Sequence, residues 1–158
     1  MGHKHESSHA QGFQGYAVKT LRKAGARLTK PRLAVIECFE RSDEPMNAKE
    51  VLSWLSEHAE SIEIDTVTTY RILEKFHEVG LLHQVAPSGK YIACTHFKCQ
   101  ETHHVLLRCQ GCQQVSEEHV PSELLASFFW FLEHKLNFVP KKHVFQLDGV
   151  CQSCRKKR

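Results

Sequence analysis

The sequence lacks any apolar run that approaches the roughly 18 residues of a membrane-spanning helix, so no membrane span is predicted. It also lacks an export signal, and the two absences together favour a cytoplasmic protein. Its 7 cysteines are an odd number, and without an oxidising compartment a disulfide framework is not expected. The 158 residues allow one domain or two small ones.

Two Cys-x-x-Cys pairs are the most informative motifs that are present: Cys109 with Cys112, and Cys151 with Cys154. Each pair can offer two thiolates from one tight turn, and four thiolates together make the closed tetrahedral site that usually holds structural zinc. The spacing between the pairs exceeds the roughly 15–20 residues of a compact zinc ribbon. The metal is therefore expected to join distant parts of a folded domain; disulfides or chance pairing are the alternatives.

The first half of the chain predicts short helices in series, followed by a small hairpin. Apolar residues recur at helical spacing in four segments, and polar N-cap candidates precede three of them. Gly80 ends the fourth segment, and alternation across residues 81–91 around a Pro-Ser-Gly turn predicts two strands. This order is typical of a winged helix-turn-helix, with an ordinary helical domain plus a hairpin as the alternative. The N-cap candidates are Thr29, Asn47 and Asp65.

Short hydroxyls and basic side chains on the fourth helix suit a DNA major groove. Arginine can read guanine edges, and threonine can contact a thymine methyl group or a phosphate. From Lys19 to Arg32 there are 6 basic residues and no acid, a stripe that could face phosphates. A merely solvated helix face is the competing interpretation. The candidate DNA contacts are Thr68, Thr69 and Arg71 on the fourth helix, with Lys30 and Arg32 from the stripe.

The second half predicts short strands around one aromatic helix. The run Phe128-Phe129-Trp130-Phe131 places aromatic side chains all round that helix, which is expected to be buried on several sides. In a domain of roughly 70 residues, one of those sides is expected to face a partner chain, so a homodimer is predicted. An aromatic-rich core is the alternative.

The predicted fold class is α+β in two domains. A disordered polar tail spans residues 1–13, a winged helix-turn-helix DNA-binding domain spans 14–88, and an α/β dimerisation domain with the four-cysteine zinc site spans 89–158. No part of this organisation calls for a membrane partner.

Other metal-ligating side chains cluster near the predicted domain junction. One thiolate, two imidazoles and one carboxylate make a four-coordinate zinc set, and the thiolate favours zinc over manganese and ferrous iron. A site that joins wing to second domain would fix their relative orientation. With 12 histidines in the chain, scattered surface histidines and a buried cysteine are the alternative. The candidates are His83, Cys94, His103, His104 and Glu117.

Taken together, these motifs resemble the ferric uptake regulator superfamily over about residues 14–154. Members are dimeric, metal-dependent bacterial regulators, mostly repressors, so the resemblance implies a homodimer that binds a double-stranded DNA operator. The motifs that carry it are Arg27-Leu-Thr-Lys-Pro-Arg32, Asp65-Thr-Val-Thr-Thr-Tyr-Arg71, His103-His104, Cys109-x-x-Cys112-x-x-Val115 and His143-x7-Cys151-x-x-Cys154.

Within the superfamily the chain is most similar to the zinc uptake regulators. That similarity implies two Zn²⁺ per chain, one structural at the four cysteines and one regulatory at His83, Cys94, His103 and Glu117. His104 or His96 could replace His103. It also implies that Tyr70 and Arg71 contact DNA.

One departure concerns the histidines before the first Cys-x-x-Cys pair. Iron-type members usually carry His-His-Asp-His there, whereas this chain reads His103-His104-Val105-Leu106. This difference argues against an iron sensor or a peroxide sensor. It also argues against a complete third metal site, although His143 matches one ligand of that site.

The implied function is a zinc-responsive repressor of zinc-uptake genes. An iron- or manganese-responsive regulator of the same superfamily is the alternative, followed by a zinc hydrolase or deaminase and by a zinc-stapled interaction module. Four protein ligands would leave no position for a catalytic water, and no His-x-Glu paired with Pro-Cys-x-x-Cys occurs. No enzyme is therefore predicted, and an interaction module does not explain the Thr/Arg face.

Overall fold

The computed structural model of the chain describes residues 12–59, 62–95, 103–140 and 144–157, without the side chain of His103. Most of the tail predicted over residues 1–13 lies outside these ranges. Phe13 is buried and begins the first helix, so this residue belongs to the helical domain rather than to the predicted tail. The elements are α1 (Phe13–Lys23), α2 (Lys30–Arg41), α3 (Ala48–His58), α4 (Thr66–Glu78), β1 (Leu82–Val85), β2 (Lys90–Ala93), β3 (His103–Cys109), β4 (Val115–Val120), α5 (Ser122–Leu136), β5 (Val144–Gly149) and α6 (Gln152–Arg155).

Side-chain caps fix where α2, α3 and α4 begin, as the sequence predicts. The Thr29 hydroxyl accepts a backbone N–H of α2 at 3.5 Å, and the Asp65 carboxylate accepts one of α4 at 2.6 Å. Asn47 and Glu50 form a reciprocal capping box at the start of α3. A cap of this kind stabilises a helix by about 1 kcal/mol. The helices pack around a core whose fully buried members include Leu21, Val35, Phe39, Val51, Leu55, Leu73 and Phe76.

The strands β1 and β2 form the predicted antiparallel wing, with Leu82 opposite Ala93. Gly89 adopts φ +68° in the connecting turn, a conformation that glycine adopts without strain. Tyr91 exchanges two 2.8 Å backbone hydrogen bonds with Met46, which joins β2 to the α2–α3 connection. The boundary predicted after residue 88 therefore falls inside one hairpin, and the winged unit continues to Ala93.

A second sheet has the strand order β4-β3-β5, with β3 antiparallel to β4 and parallel to β5. A parallel pair needs a crossover connection, which here contains α5. Cys109 ends β3 and Cys151 follows β5 after one residue. Because parallel strands end at the same edge, both Cys-x-x-Cys pairs come to one side of the sheet.

Helix α5 packs on this sheet through aromatic contacts. The Phe145 ring on β5 lies 5.7 Å from that of Phe129 and 6.0 Å from that of Phe128, measured between centroids. The expectation that α5 is buried on several sides is not met within one chain, since none of its described side chains is buried. Leu124 is 72% and Trp130 53% exposed. None of the helices in the described ranges has the length and hydrophobicity of a membrane span.

The wing and the second sheet contact each other directly. Val85 and Ile92 from the wing form a buried cluster with Leu106 of β3, and Val115 and Val144 pack against it. This contact brings side chains of the wing close to those of β3 and β4.

Candidate functional site

The four cysteines of the two Cys-x-x-Cys pairs meet in one group. Their sulfur atoms all lie within 4.8 Å of one another. Cys112 Sγ and Cys151 Sγ are 3.9 Å apart, almost twice the roughly 2.05 Å of a disulfide bond. None of the four forms a disulfide, and their arrangement is one that could hold a metal ion.

Hydrogen bonds within this group favour ionised sulfur at one position and oppose it at another. Cys109 Sγ accepts the backbone N–H of Cys151 at 3.3 Å and that of Gly111 at 3.4 Å, and such bonds lower the pKa of Cys109 to about 6. Contact with the Cys151 thiol and burial raise the pKa of Cys154 to about 12. Four thiolates can therefore coexist here only with a cation between them, which fits a structural divalent metal.

The first Cys-x-x-Cys turn leaves room for its partner pair only because residue 111 is glycine. A Cβ atom on Gly111 would lie 2.9 Å from Cys154 Sγ and 3.1 Å from Cys154 Cβ. The turn is joined to the second pair by the Gln110 N–H, which donates to Gly149 O at 2.8 Å. Sequence reasoning missed Gly111, although a glycine between the two cysteines was a readable signal.

A second ligand group lies between the wing and the second sheet. His83 belongs to β1, Cys94 follows β2, His104 belongs to β3 and Glu117 belongs to β4, and their ligand atoms all lie within 4.8 Å of one another. His83 Nε2 is 2.9 Å and Cys94 Sγ is 3.5 Å from Glu117 Oε1, which also contacts His104 Nδ1. The exposed fractions are 3% for His83, 0% for Cys94 and His104, and 1% for the Glu117 side chain.

The structure brings together three of the four residues in the predicted regulatory set, and His104 lies with them in one group. The prediction named His103 first, with His104 and His96 as substitutes. The side chain of His103 lies outside the described residues, as do His96 and His143, the residue that matches one ligand of a third site.

The charge of this buried group matches a divalent cation. Burial alone would raise the pKa of the Glu117 carboxyl, but hydrogen bonds from both imidazoles and from a backbone amide hold that pKa well below its ordinary range. If Cys94 gave up its proton on binding a metal, the Glu117 carboxylate and the Cys94 thiolate would together carry two negative charges, which a divalent cation would neutralise. One sulfur, two nitrogens and one carboxylate oxygen are a ligand set that zinc accepts.

Thr95 also contacts this group and was not singled out from the sequence. Its backbone N–H and its hydroxyl both donate to Glu117 Oε2, at 2.7 and 2.9 Å. No sequence signal points to this residue, because its partner lies in another strand.

Some, but not all, of the α4 side chains predicted to contact DNA are exposed to solvent. Tyr70 is 46% exposed, Arg71 is exposed and Thr68 is half-buried. The prediction that Thr69 lies on this face is wrong. Thr69 is 0% exposed, and its hydroxyl donates to Asp65 O at 2.9 Å, so it packs inside the domain.

The basic residues between Lys19 and Arg32 are only partly exposed for contact with DNA phosphates. Lys30 is exposed at the start of α2, as are Lys19 and Arg22 on α1. Arg32 is half-buried, and its guanidinium donates to the backbone carbonyl of Arg27. The ammonium of Lys30 is therefore better placed to meet a phosphate than the guanidinium of Arg32.

Known proteins resemble the chain over nearly its whole length. The sequence model of the Ferric uptake regulator family matches residues 23–127. The ferric uptake regulation protein of Bordetella parapertussis is 30% identical over 141 residues, covering 87% of this chain and 96% of that protein. The peroxide operon regulator of Bacillus subtilis is 27% identical over 141 residues, covering 89% and 92%. A solved zinc uptake regulator complexed with zinc and DNA has TM-score 0.75 at 27% identity, covering 91% of this chain and 93% of that one.

Proposed function

The chain belongs to the ferric uptake regulator family of metal-responsive transcriptional regulators, and we propose that it is a zinc-responsive repressor of zinc-uptake genes. In this proposal a homodimer binds a double-stranded DNA operator when its regulatory site holds zinc. The proposal depends on one observation above all: the buried group of His83, Cys94, His104 and Glu117 between the wing and the second sheet.

The ligand chemistry of that group supports zinc as the sensed metal. Cys94 contributes a soft sulfur ligand, whereas manganese and ferrous iron sites depend more on oxygen and nitrogen. Similarity to the zinc uptake regulator that was solved with zinc and DNA agrees with this ligand set.

The placement of the ligands supports a role in switching. His83 and Cys94 belong to the winged unit, while His104 and Glu117 belong to the second sheet. Zinc bound there would neutralise the negative charge of its ligands, so that all four side chains could contact the same ion. With zinc bound, the four ligands would hold the wing against β3 and β4 in one orientation. Without zinc, that restraint would be lost. The shift toward the DNA-competent orientation can be no larger than the difference in zinc affinity between the two states.

The surfaces available for DNA and for a second chain also support the proposal. Tyr70 and Arg71 are exposed on α4, and Lys30 is exposed at the start of α2. A dimer formed through the apolar face of α5 would present two copies of α4 to the two half-sites of one operator. We assign base contact to Arg71 and phosphate contact to Lys30.

The four cysteines are assigned to a structural zinc, which gives two zinc ions per chain. A closed set of four thiolates leaves no position for a substrate or a catalytic water, and the same holds for the second group with its four ligands. The proposal therefore contains no catalytic step.

An iron- or manganese-responsive regulator is the second candidate. It is favoured by the ferric uptake and peroxide regulators among the relatives. In that case the iron or manganese ion would have to accept the Cys94 sulfur as a ligand, since Cys94 lies within the ligand group.

The test is operator binding by the purified full-length protein, titrated with buffered free zinc, ferrous iron or manganese. The wild type is compared with Cys94→Ser, and with Cys38→Ala as a matched control, because Cys38 is buried in the first domain away from both ligand groups. We expect binding above a zinc threshold that Cys94→Ser loses and Cys38→Ala keeps. Binding that follows iron or manganese instead, or a normal zinc response in Cys94→Ser, would reject zinc sensing.

A further inference from the structure

The carboxylate of Glu117 is held differently at its two oxygens. Oε2 accepts two hydrogen bonds from one residue, from the Thr95 backbone N–H at 2.7 Å and from the Thr95 hydroxyl at 2.9 Å. A carboxylate oxygen has about two lone-pair directions for such bonds. Thr95 alone therefore supplies donors for both directions at Oε2.

The other oxygen faces the ligand group. Oε1 contacts His83 Nε2 at 2.9 Å, Cys94 Sγ at 3.5 Å and His104 Nδ1. Among the described residues, the contacts of Glu117 with these three side chains are thus made through Oε1, while Thr95 binds Oε2.

The backbone around Thr95 fixes this arrangement. Cys94 donates its backbone N–H to Leu81 O at 2.9 Å, which anchors the chain just after β2. Thr95 follows directly, so the dipeptide that supplies the thiolate also supplies both donors to the opposing carboxylate. Thr95 itself is exposed, and replacing its hydroxyl leaves no buried cavity.

We propose that Thr95 is a positioning residue that sets metal selectivity by holding Glu117 as a one-oxygen ligand. The inference rests on the proposed regulatory zinc site. With Oε2 occupied, the group offers one sulfur, two nitrogens and one oxygen, which is the four-coordinate set that zinc accepts. Manganese favours more oxygen ligands around it, and a carboxylate free to offer both oxygens would bring the site closer to that preference.

The experiment uses the full-length protein with zinc retained at the four cysteines, and it compares wild type, Thr95→Val and Thr95→Ser. Zn²⁺ affinity of the second site is measured by chelator competition, Mn²⁺ affinity by the same means, and coordination number by the visible absorption of bound Co²⁺. We expect Thr95→Val to lower Zn²⁺ affinity by about 10–100-fold, as outer-shell changes do. We also expect a smaller Zn²⁺/Mn²⁺ preference and weaker Co²⁺ bands, since four-coordinate Co²⁺ absorbs most strongly. Thr95→Ser, which keeps the hydroxyl, should restore all three.

Two results separate this inference from the proposed function. If wild type binds a second zinc that Cys94→Ser loses, while Thr95→Val matches wild type in affinity and in Co²⁺ spectrum, the role of Thr95 is refuted and the zinc site stands. If wild type binds no second zinc, or Cys94→Ser keeps it, the regulatory site is refuted and the role of Thr95 with it.

Discussion

Gln146 and Ala86 form a reciprocal pair of hydrogen bonds across the contact between the wing and the second sheet. Gln146 Nε2 donates to Ala86 O at 2.7 Å, and the Ala86 N–H donates to Gln146 Oε1 at 2.8 Å. Gln146 Nε2 also donates to Asp148 Oδ1 at 2.9 Å, and Arg108 Nε donates to the same oxygen at 3.0 Å. The Arg108 guanidinium and the Gln146 amide lower the pKa of Asp148 to about 2, so this carboxylate stays ionised at neutral pH. The turn of the wing is thus attached to β5 without any metal.

Replacing Gln146 should weaken operator binding even at saturating zinc. Gln146→Ala removes both bonds to Ala86, each worth about 0.5–1.5 kcal/mol, and loosens the wing on the sheet. We expect operator affinity to fall by about fivefold, the equivalent of about 1 kcal/mol, measured by fluorescence anisotropy. Gln110→Ala, an exposed glutamine outside this contact, is the control. Equal affinities for wild type and Gln146→Ala would show that the contact does not influence the DNA-bound form.

A methyl group at residue 111 should disturb the four-cysteine site. Gly111→Ala places a Cβ 2.9 Å from Cys154 Sγ, so the sulfur must move from its position beside the other three. We expect weaker retention of the zinc proposed for this site, by about tenfold or more in chelator competition, and a lower melting temperature. Gly149→Ala is the matched control, because a Cβ there meets no atom within 4 Å. Equal zinc retention by the two variants would contradict the steric argument.

A charged residue on the exposed face of α5 should prevent dimerisation. Leu124 is 72% and Phe131 is 47% exposed in the single chain, and burying such side chains stabilises by about 1.5–3 kcal/mol each. The double variant Leu124→Glu/Phe131→Glu should sediment as a monomer at concentrations where the wild type is dimeric. Ser56→Glu adds a carboxylate to an exposed position of α3 and should leave the mass unchanged. A dimeric double variant would place the interface elsewhere.

Arg71 should carry sequence-specific affinity for the operator. Arg71→Ala is expected to weaken specific binding by about 1–3 kcal/mol while changing nonspecific binding less. Arg41→Ala removes the same charge from α2, where Arg41 pairs with Glu37 at 3.0 Å, and serves as the control. Competition between operator and random DNA measures both affinities. If Arg71→Ala bound the operator as tightly as the wild type, Arg71 of α4 would not be the residue that recognises the DNA sequence.

Features set by local sequence could be predicted well. The caps at Thr29, Asn47 and Asp65 satisfy backbone groups within three residues of themselves, so the residue types alone indicate them. The four-cysteine group was predictable for a related reason, since each Cys-x-x-Cys turn already brings two sulfurs together and only the meeting of the turns depends on the fold.

Features set by the relative position of distant segments were predicted less well. Side chains alternate along a strand, so which of two consecutive histidines reaches a given face depends on how β3 is placed in its sheet. The spacing of residues does not contain that placement, so the sequence named His103 first and His104 only as a substitute, whereas the structure places His104 in the ligand group. The contacts of Thr95 with Glu117 and of Gln146 with Ala86 span 22 and 60 residues and leave no local pattern.

The error at Thr69 has another physical origin. Helical spacing indicates which side of α4 faces the core, but not how wide the buried side is. The core around α4 extends far enough to cover Thr69 completely. The boundary set after residue 88 has a different origin, because it divides the hairpin that the alternation over residues 81–91 itself predicted, and strand pairing keeps β2 with β1.

Strand β3 carries His104 near its start and Cys109 at its end, so the two ligand groups share one element. Their dependence on each other is unequal. In the proposed arrangement, emptying the second group would remove one restraint on the wing but leave β3 paired with both neighbouring strands, whereas emptying the four-cysteine group would free the ends of β3 and β5 together. If both groups hold a metal as proposed, a chelator should extract the two metals in series. Loss of the metal between the wing and the sheet should be reversible, whereas loss of the metal at the four cysteines should disturb the sheet that carries both sites.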